Sequence, residues 1–202
     1  MAAERITELD WWESHRLPGS EVTITAAPSQ HFSGRGLKDR NATLWSSLVI
    51  RSDRHSVFFS GDTGPTAEYA EIRERLGPFD LVMLEVGAHH PAWGDIHLGP
   101  DNALTAHRLL GGGVLLPVHW GTFALAMHAW DQPAEVLIHT ADRQDTPLLM
   151  PVLGEAVEPA HVEKTRPWWR SVETQTAPAQ AAPSLEPEAD RPLPKGMSWP
   201  LD

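Results

Sequence analysis

The chain has 202 residues, 41% of them hydrophobic, which is enough for one domain with a buried core and an appendage. It contains no cysteine, so disulfides, thiolate metal sites and a cysteine nucleophile are excluded, and any metal site must use histidine and carboxylate. A formal net charge of −11 without a basic stripe argues against nucleic acid as a partner.

No stretch approaches the apolar length of a membrane span, and Met1-Ala2-Ala3-Glu4-Arg5 lacks the basic-then-apolar pattern of a signal peptide. A cytoplasmic location is the expectation. Residues Ile6 to Ser14 carry a Trp pair flanked by acids, too short a stretch to decide between strand and helical turn. Glu21 to Ala27 alternates Val22, Ile24 and Ala26 with polar residues, which is strand periodicity, and Pro28 ends it just before His31. The polar segment Ser33 to Asn41 is loop; its glycine spacing and the lack of a closing Lys-Ser or Lys-Thr pair rule out a phosphate-cradling P-loop.

Thr43 to Ile50 and Ser56 to Ser60 predict a hairpin, and its second strand stops at Gly61-Asp62-Thr63-Gly64. Asp62 thus stands at the exposed end of a buried strand, where α/β architectures place ligands and catalytic groups. Alone, such an Asp is equally a turn former or helix cap. Pro65 to Leu76 predicts a helix stopped by Gly77-Pro78, and Phe79 to Val86 a near-continuous apolar strand covered on both faces. A loop rich in ligand-type residues follows, with His89, His90 and His97. Pro100 to Leu110 predicts a second helix, Val114 to Val118 a strand with His119 at its end, Ala134 to Ala141 a third helix, and Leu148 to Val152 a last strand. From Ser171 the composition turns to Pro, Ala, Glu and Gln, with six prolines, as in a disordered tail over residues 171–202. Trp199 in that tail is a candidate for docking back or binding a partner. The alternation of strands and helices gives the class α/β.

His31, Asp62 and His119 are far apart in sequence, yet each lies just past a strand, so neighbouring strands would bring them to one edge. Two imidazoles and a carboxylate suit a hydrolytic metal centre, where an ion lowers the pKa of bound water and a carboxylate bridges two ions. Zinc, manganese and iron fit this donor set. A serine hydrolase is a weak alternative, because there is no Gly-x-Ser-x-Gly elbow.

Ala27-Pro28-Ser29-Gln30-His31-Phe32, Phe59-Ser60-Gly61-Asp62-Thr63-Gly64, Gly77-Pro78-Phe79-Asp80-Leu81 and Val118-His119-Trp120-Gly121-Thr122-Phe123 together resemble the C-terminal half of a metallo-β-lactamase-fold hydrolase. The resemblance is to the branch with N-acyl-phosphatidylethanolamine-hydrolysing phospholipase D and the ascorbate-6-phosphate lactonase-like enzymes, and covers roughly Ile6 to Val157 within a domain at residues 1–160. It implies an αββα sandwich with a dinuclear, usually zinc, site, in which His31 completes the first ion's ligands, Asp62 bridges both ions and His119 binds the second. His97 matches a position near the substrate, suited to orienting a phosphate or leaving group. His89 and His90 match gate or surface positions.

The signature His-x-His-x-Asp-His of that family is absent, and the chain begins just downstream of where it would lie. The expectation is therefore half a sandwich, with an apolar sheet face and an unpaired edge that invite association. The implied activity is water attack on a phosphodiester or lactone-type bond in a small-molecule or lipid-headgroup substrate, with self-association or a partner supplying the missing half. The alternative is an inactive truncated fragment or accessory module that acts by association.

Overall fold

The computed structural model describes residues 6–36 and 38–172. The described residues up to Trp169 form one compact unit, and the sequence expectation of a disordered 171–202 tail, Trp199 included, falls almost wholly outside the described residues.

One mixed sheet of six strands runs in sequence order: β1 (Ser14–Arg16), β2 (Thr23–Ala27), β3 (Ser47–Arg51), β4 (Ser56–Phe59), β5 (Leu81–Glu85) and β6 (Val114–Val118). The first four pair antiparallel, as in hairpins, while β4–β5 and β5–β6 are parallel. The parallel pairs require crossovers, and helices supply them. Between β4 and β5 lies α1 (Glu68–Leu76), between β5 and β6 lies α2 (Gly99–Leu109), and α3 (Gln132–Arg143) follows β6. The class is α/β, with the sheet and three helices that the alternation of the sequence predicts.

Helix α1 begins at Glu68, three residues later than the sequence suggests. Its acids Glu68 and Glu71 sit in the first turn and Arg73 and Arg75 in the last, complementing the helix dipole, and Tyr69 and Ile72 are buried. At the end of the undecided N-terminal stretch Ser14–Arg16 is an edge strand, registered Ser14↔Thr25. One expectation needs correction. Leu148 to Val152 is not a strand: it makes only a bridge to Leu115, with Leu115 N–H donating to Pro147 O (2.8 Å) and Leu149 N–H to Leu115 O (2.9 Å). Pro151 has no N–H to continue such a ladder.

The two faces of the sheet differ. The face carrying Val49, Phe58, Val82, Leu84 and Leu115 forms the core with Tyr69, Ile72, Leu104 and Leu137 from the helices. On the other face, the registers Leu48↔Phe59↔Met83 and Ile50↔Val57↔Leu81 line up two apolar rows. These six residues are partly exposed, and none belongs to the core cluster or to the side chains packed against it.

His107 on α2 is 4% exposed, and its Nε2 lies 3.0 Å from Gly113 O. Burial pushes its pKa below the usual 6.5, so the folded state holds it neutral. The unfolded chain binds the additional proton below about 6.5, so this group's stabilisation is complete above that pH and is lost on acidification. Urea unfolding of His107→Gln is expected to show a shallower loss of stability between neutral and mildly acid pH than the parent chain.

Candidate metal centre

Because β2 and β4 are each antiparallel to β3, they run in the same direction, and β5 and β6 are parallel to β4. All four therefore end at one rim. His31 follows β2, Asp62 follows β4, Glu85 is the last residue of β5, and His119 follows β6. His97 reaches the same rim from the loop between β5 and α2.

Backbone bonds lock the strand exits together. Gly64 N–H donates to Gln30 O (2.7 Å), Gln30 N–H donates to Thr63 Oγ1 (3.0 Å), and the buried Tyr69 hydroxyl donates to Gly64 O (2.9 Å) and lies 3.2 Å from Thr63 Oγ1. Burial pushes the Tyr69 hydroxyl pKa well up, so it remains a neutral donor. Two glycines are required by close approach. A Cβ at Gly64 would stand 1.6 Å from Asp95 O, and one at Gly87 would stand 2.4 Å from His119 O. These contacts seat the loop carrying His97 against the exit of β4, and the exit of β5 against that of β6. His119 itself adopts φ 63°, an uncommon left-handed conformation for a non-glycine residue. Trp120 behind it is held in a cluster with Trp168 and Trp169, ring centroids 5.9 and 5.4 Å away.

The four sequence candidates come together. His119 Nε2 lies 3.5 Å from Asp62 Oδ1; the rings of His97 and His119 stack with centroids 5.5 Å apart; those of His31 and His97 meet edge-on at 5.4 Å. His31 also stacks on Phe32 at 4.6 Å, with its Nδ1 2.9 Å from Phe32 O. The variable-loop histidines stand to one side. His89 pairs with His128, ring centroids 4.7 Å apart, and its buried Nδ1 has no hydrogen-bond partner, while His90 Nδ1 accepts from Ala92 N–H.

Glu85 is the residue that pattern reading passes over. It closes the apolar run Leu81-Val82-Met83-Leu84, and its side chain is fully buried. Oε1 accepts a short bond from Leu98 N–H, and Oε2 lies 2.7 Å from His97 Nδ1 and 3.5 Å from His119 Nδ1. The Glu85 carboxylate holds the His97 pKa above its usual value, against the opposing effect of burial. The signal available in the sequence is a lone carboxylate at the end of a buried strand, where the neighbouring strands place ligand-type residues.

Donor atoms of Glu85, His97 and His119 lie within 4.8 Å of one another, a grouping able to hold a cation. The rim pair offers a second arrangement. His119 Nδ1 lies 3.3 Å from Gly87 O and faces Glu85, both acceptors; the tautomer protonated at Nδ1 satisfies them and turns the Nε2 lone pair to the Asp62 carboxylate. Two acceptors 3.5 Å apart are reconciled only by a proton or a cation between them, and Asp62 is open to solvent, with 53% of its side chain exposed. The donor set and its accessibility therefore fit a metal ion.

Comparison with known proteins supplies the family. Residues 2–120 match the family described as the Beta-lactamase superfamily domain. An uncharacterized protein of Mycobacterium tuberculosis is 43% identical over 170 residues, 83% of this chain and 45% of that protein. The N-acyl-phosphatidylethanolamine-hydrolyzing phospholipase D 1 of Caenorhabditis elegans is 34% identical over 163 residues, 76% of this chain and 46% of that protein. The chain thus spans about half the length of these curated relatives. Among solved structures, a metallo hydrolase of Ignicoccus hospitalis shares the fold with a TM-score of 0.57 at 22% identity, over 75% of this chain and 59% of that one.

The clamp behind the rim is directly measurable. Thr63→Val leaves Gln30 N–H without its acceptor and is expected to cost about 1–3 kcal/mol in urea unfolding, whereas Tyr69→Phe removes one hydroxyl and costs about 1 kcal/mol.

Proposed function

The chain belongs to the beta-lactamase superfamily, and on that premise we propose that it contributes half of the metal centre of a hydrolase that directs water onto a phosphodiester or lactone-type bond. His31, Asp62 and His119 would hold the ions, with Asp62 between them, and zinc suits imidazole and carboxylate donors. A bound ion would supply Lewis acidity and activate water at neutral pH. The single observation that carries this reading is the opposed pair of acceptors, His119 Nε2 and Asp62 Oδ1, at the rim where four strands end.

His97 is the group suited to moving a proton. Its Nδ1 is tied to Glu85, which leaves Nε2 to give a proton to a leaving oxygen, and the raised pKa favours the charged, donating form. His31, edge-on to His97, limits the space beside it. The phospholipase D activity for which the C. elegans relative is named favours a phosphodiester, and the formal charge of −11 disfavours an anionic membrane surface, so a soluble substrate in a cytoplasmic setting is preferred to a lipid headgroup.

The apolar sheet face that joins no core cluster among the described residues supports a second reading, an accessory module that acts by association. On that reading Met83→Glu, placed in the middle of the face, shifts an associated sample toward monomer in light scattering. An unchanged size distribution removes it.

For the hydrolase reading, Asp62→Asn and His119→Ala are expected to lower bound zinc, measured by elemental mass spectrometry, and to reduce phosphodiester hydrolysis in the active assembly by about 100-fold or more, since loss of a second-shell partner alone costs about 10–100-fold. Equal metal content and activity in parent and variants would sink the reading.

A further inference from the structure

We propose that Glu85 is a positioning residue for two imidazoles: its buried carboxylate fixes Nδ1 as the protonated nitrogen of His97 and, together with Gly87 O, of His119, and so turns both Nε2 atoms toward the rim. The inference rests on the reading above only for the identity of the ion that His119 meets.

The plain alternative is that Glu85 merely pins the loop before α2, through the bond from Leu98 N–H to Oε1. That bond uses one oxygen. The other, Oε2, accepts from His97 Nδ1 at 2.7 Å and lies 3.5 Å from His119 Nδ1, whose own hydrogen bond goes to Gly87 O (3.3 Å). With Oε2 near both Nδ1 atoms, the rings lie side by side, at an interplanar angle of 17°. A carboxylate with no exposed surface persists only when such donors surround it, because burying an unpaired charge is costly. The same residue is tied to the strand that delivers Asp62: Glu85 N–H donates to Ser60 Oγ (3.1 Å), and Ser60 Oγ–H donates to Gly61 O (2.7 Å). Glu85 thereby sets the spacing of His97, His119 and Asp62 together. Metal-ligating histidines commonly give their second N–H to a carboxylate or carbonyl that fixes tautomer and ring orientation. Here one carboxylate does so for a proposed ligand and for a proposed proton donor, which makes the two a unit.

The test is long-range nitrogen–proton NMR of ring-labelled full-length chain without metal, together with zinc titration of the same samples. The parent chain is expected to show Nδ1–H on both His97 and His119. In Glu85→Gln, at least one ring is expected to move to the Nε2–H tautomer, and zinc affinity to fall about 10–100-fold while circular dichroism is unchanged. Glu85→Asp, which keeps the charge, should retain the parent tautomers. An Nε2–H tautomer at neutral His119 in the parent overturns the proposal, and so do unchanged tautomers and zinc affinity in Glu85→Gln. The parent spectrum decides even if Glu85→Gln does not fold. A parent chain that binds no zinc yet shows both Nδ1–H tautomers would remove the metal-centre reading and leave this positioning role standing.

Discussion

The constraint on which the rest of the rim depends is a charge in a place that disfavours charge. Glu85 ends a strand whose other residues are apolar, and the sheet and helices close over it completely. In such surroundings a carboxylate is retained only with donors on both oxygens, and these are Leu98 N–H on Oε1 and His97 Nδ1 on Oε2, with His119 Nδ1 3.5 Å away. Satisfying this one group therefore fixes where the loop before α2 begins, which way two imidazoles face and how far they stand from Asp62. The geometry of the candidate centre follows from local electrostatics in the interior as much as from the positions of strand ends.

Around that point the fold is asymmetric. Helices α1, α2 and α3 pack one sheet face into a core, while two apolar rows on the opposite face join no core contacts. An apolar face of this kind is stabilised by a second layer, and the relatives, about twice as long, have the chain length to provide one. The same asymmetry marks the centre. The side exposed at Asp62 has two acceptors facing each other, whereas the side at Glu85 is saturated with hydrogen bonds. The candidate site thus opens outward from a hydrogen-bonded inner shell, which on the proposed reading would admit both water and substrate.

Rigidity of the rim is local and redundant. Tyr69, Thr63, Gln30 and Gly64 bind the exits of β2 and β4 to each other across β3, although those strands are not neighbours. At the opposite side, the positive φ of His119 is maintained by Trp120 in its tryptophan cluster and by the close approach to Gly87. Backbone strain persists when the surroundings over-determine it, as they do at this candidate site.

What the sequence determined by itself is the period of each element and the residue types at strand ends. The alternation in Glu21 to Ala27, the apolar runs of β4, β5 and β6, and the glycine and proline stops give the α/β class, and His31, Asp62, His97 and His119 could be named because each follows such a run or matches a motif. Their meeting at one rim depended on strand direction, which pairing decides and periodicity does not carry. Glu85 was hidden for the same reason: at the end of an apolar run it reads as a strand terminus, and only long-range packing shows that its carboxylate is buried against two histidines. Leu148 to Val152 shows the converse, an apolar run with strand composition that two hydrogen bonds and Pro151 leave as a bridge. Local chemistry sets what each segment can be; the tertiary structure decides which atoms meet, because contact between residues distant in the chain is a property of the packed sheet and not of any window of sequence.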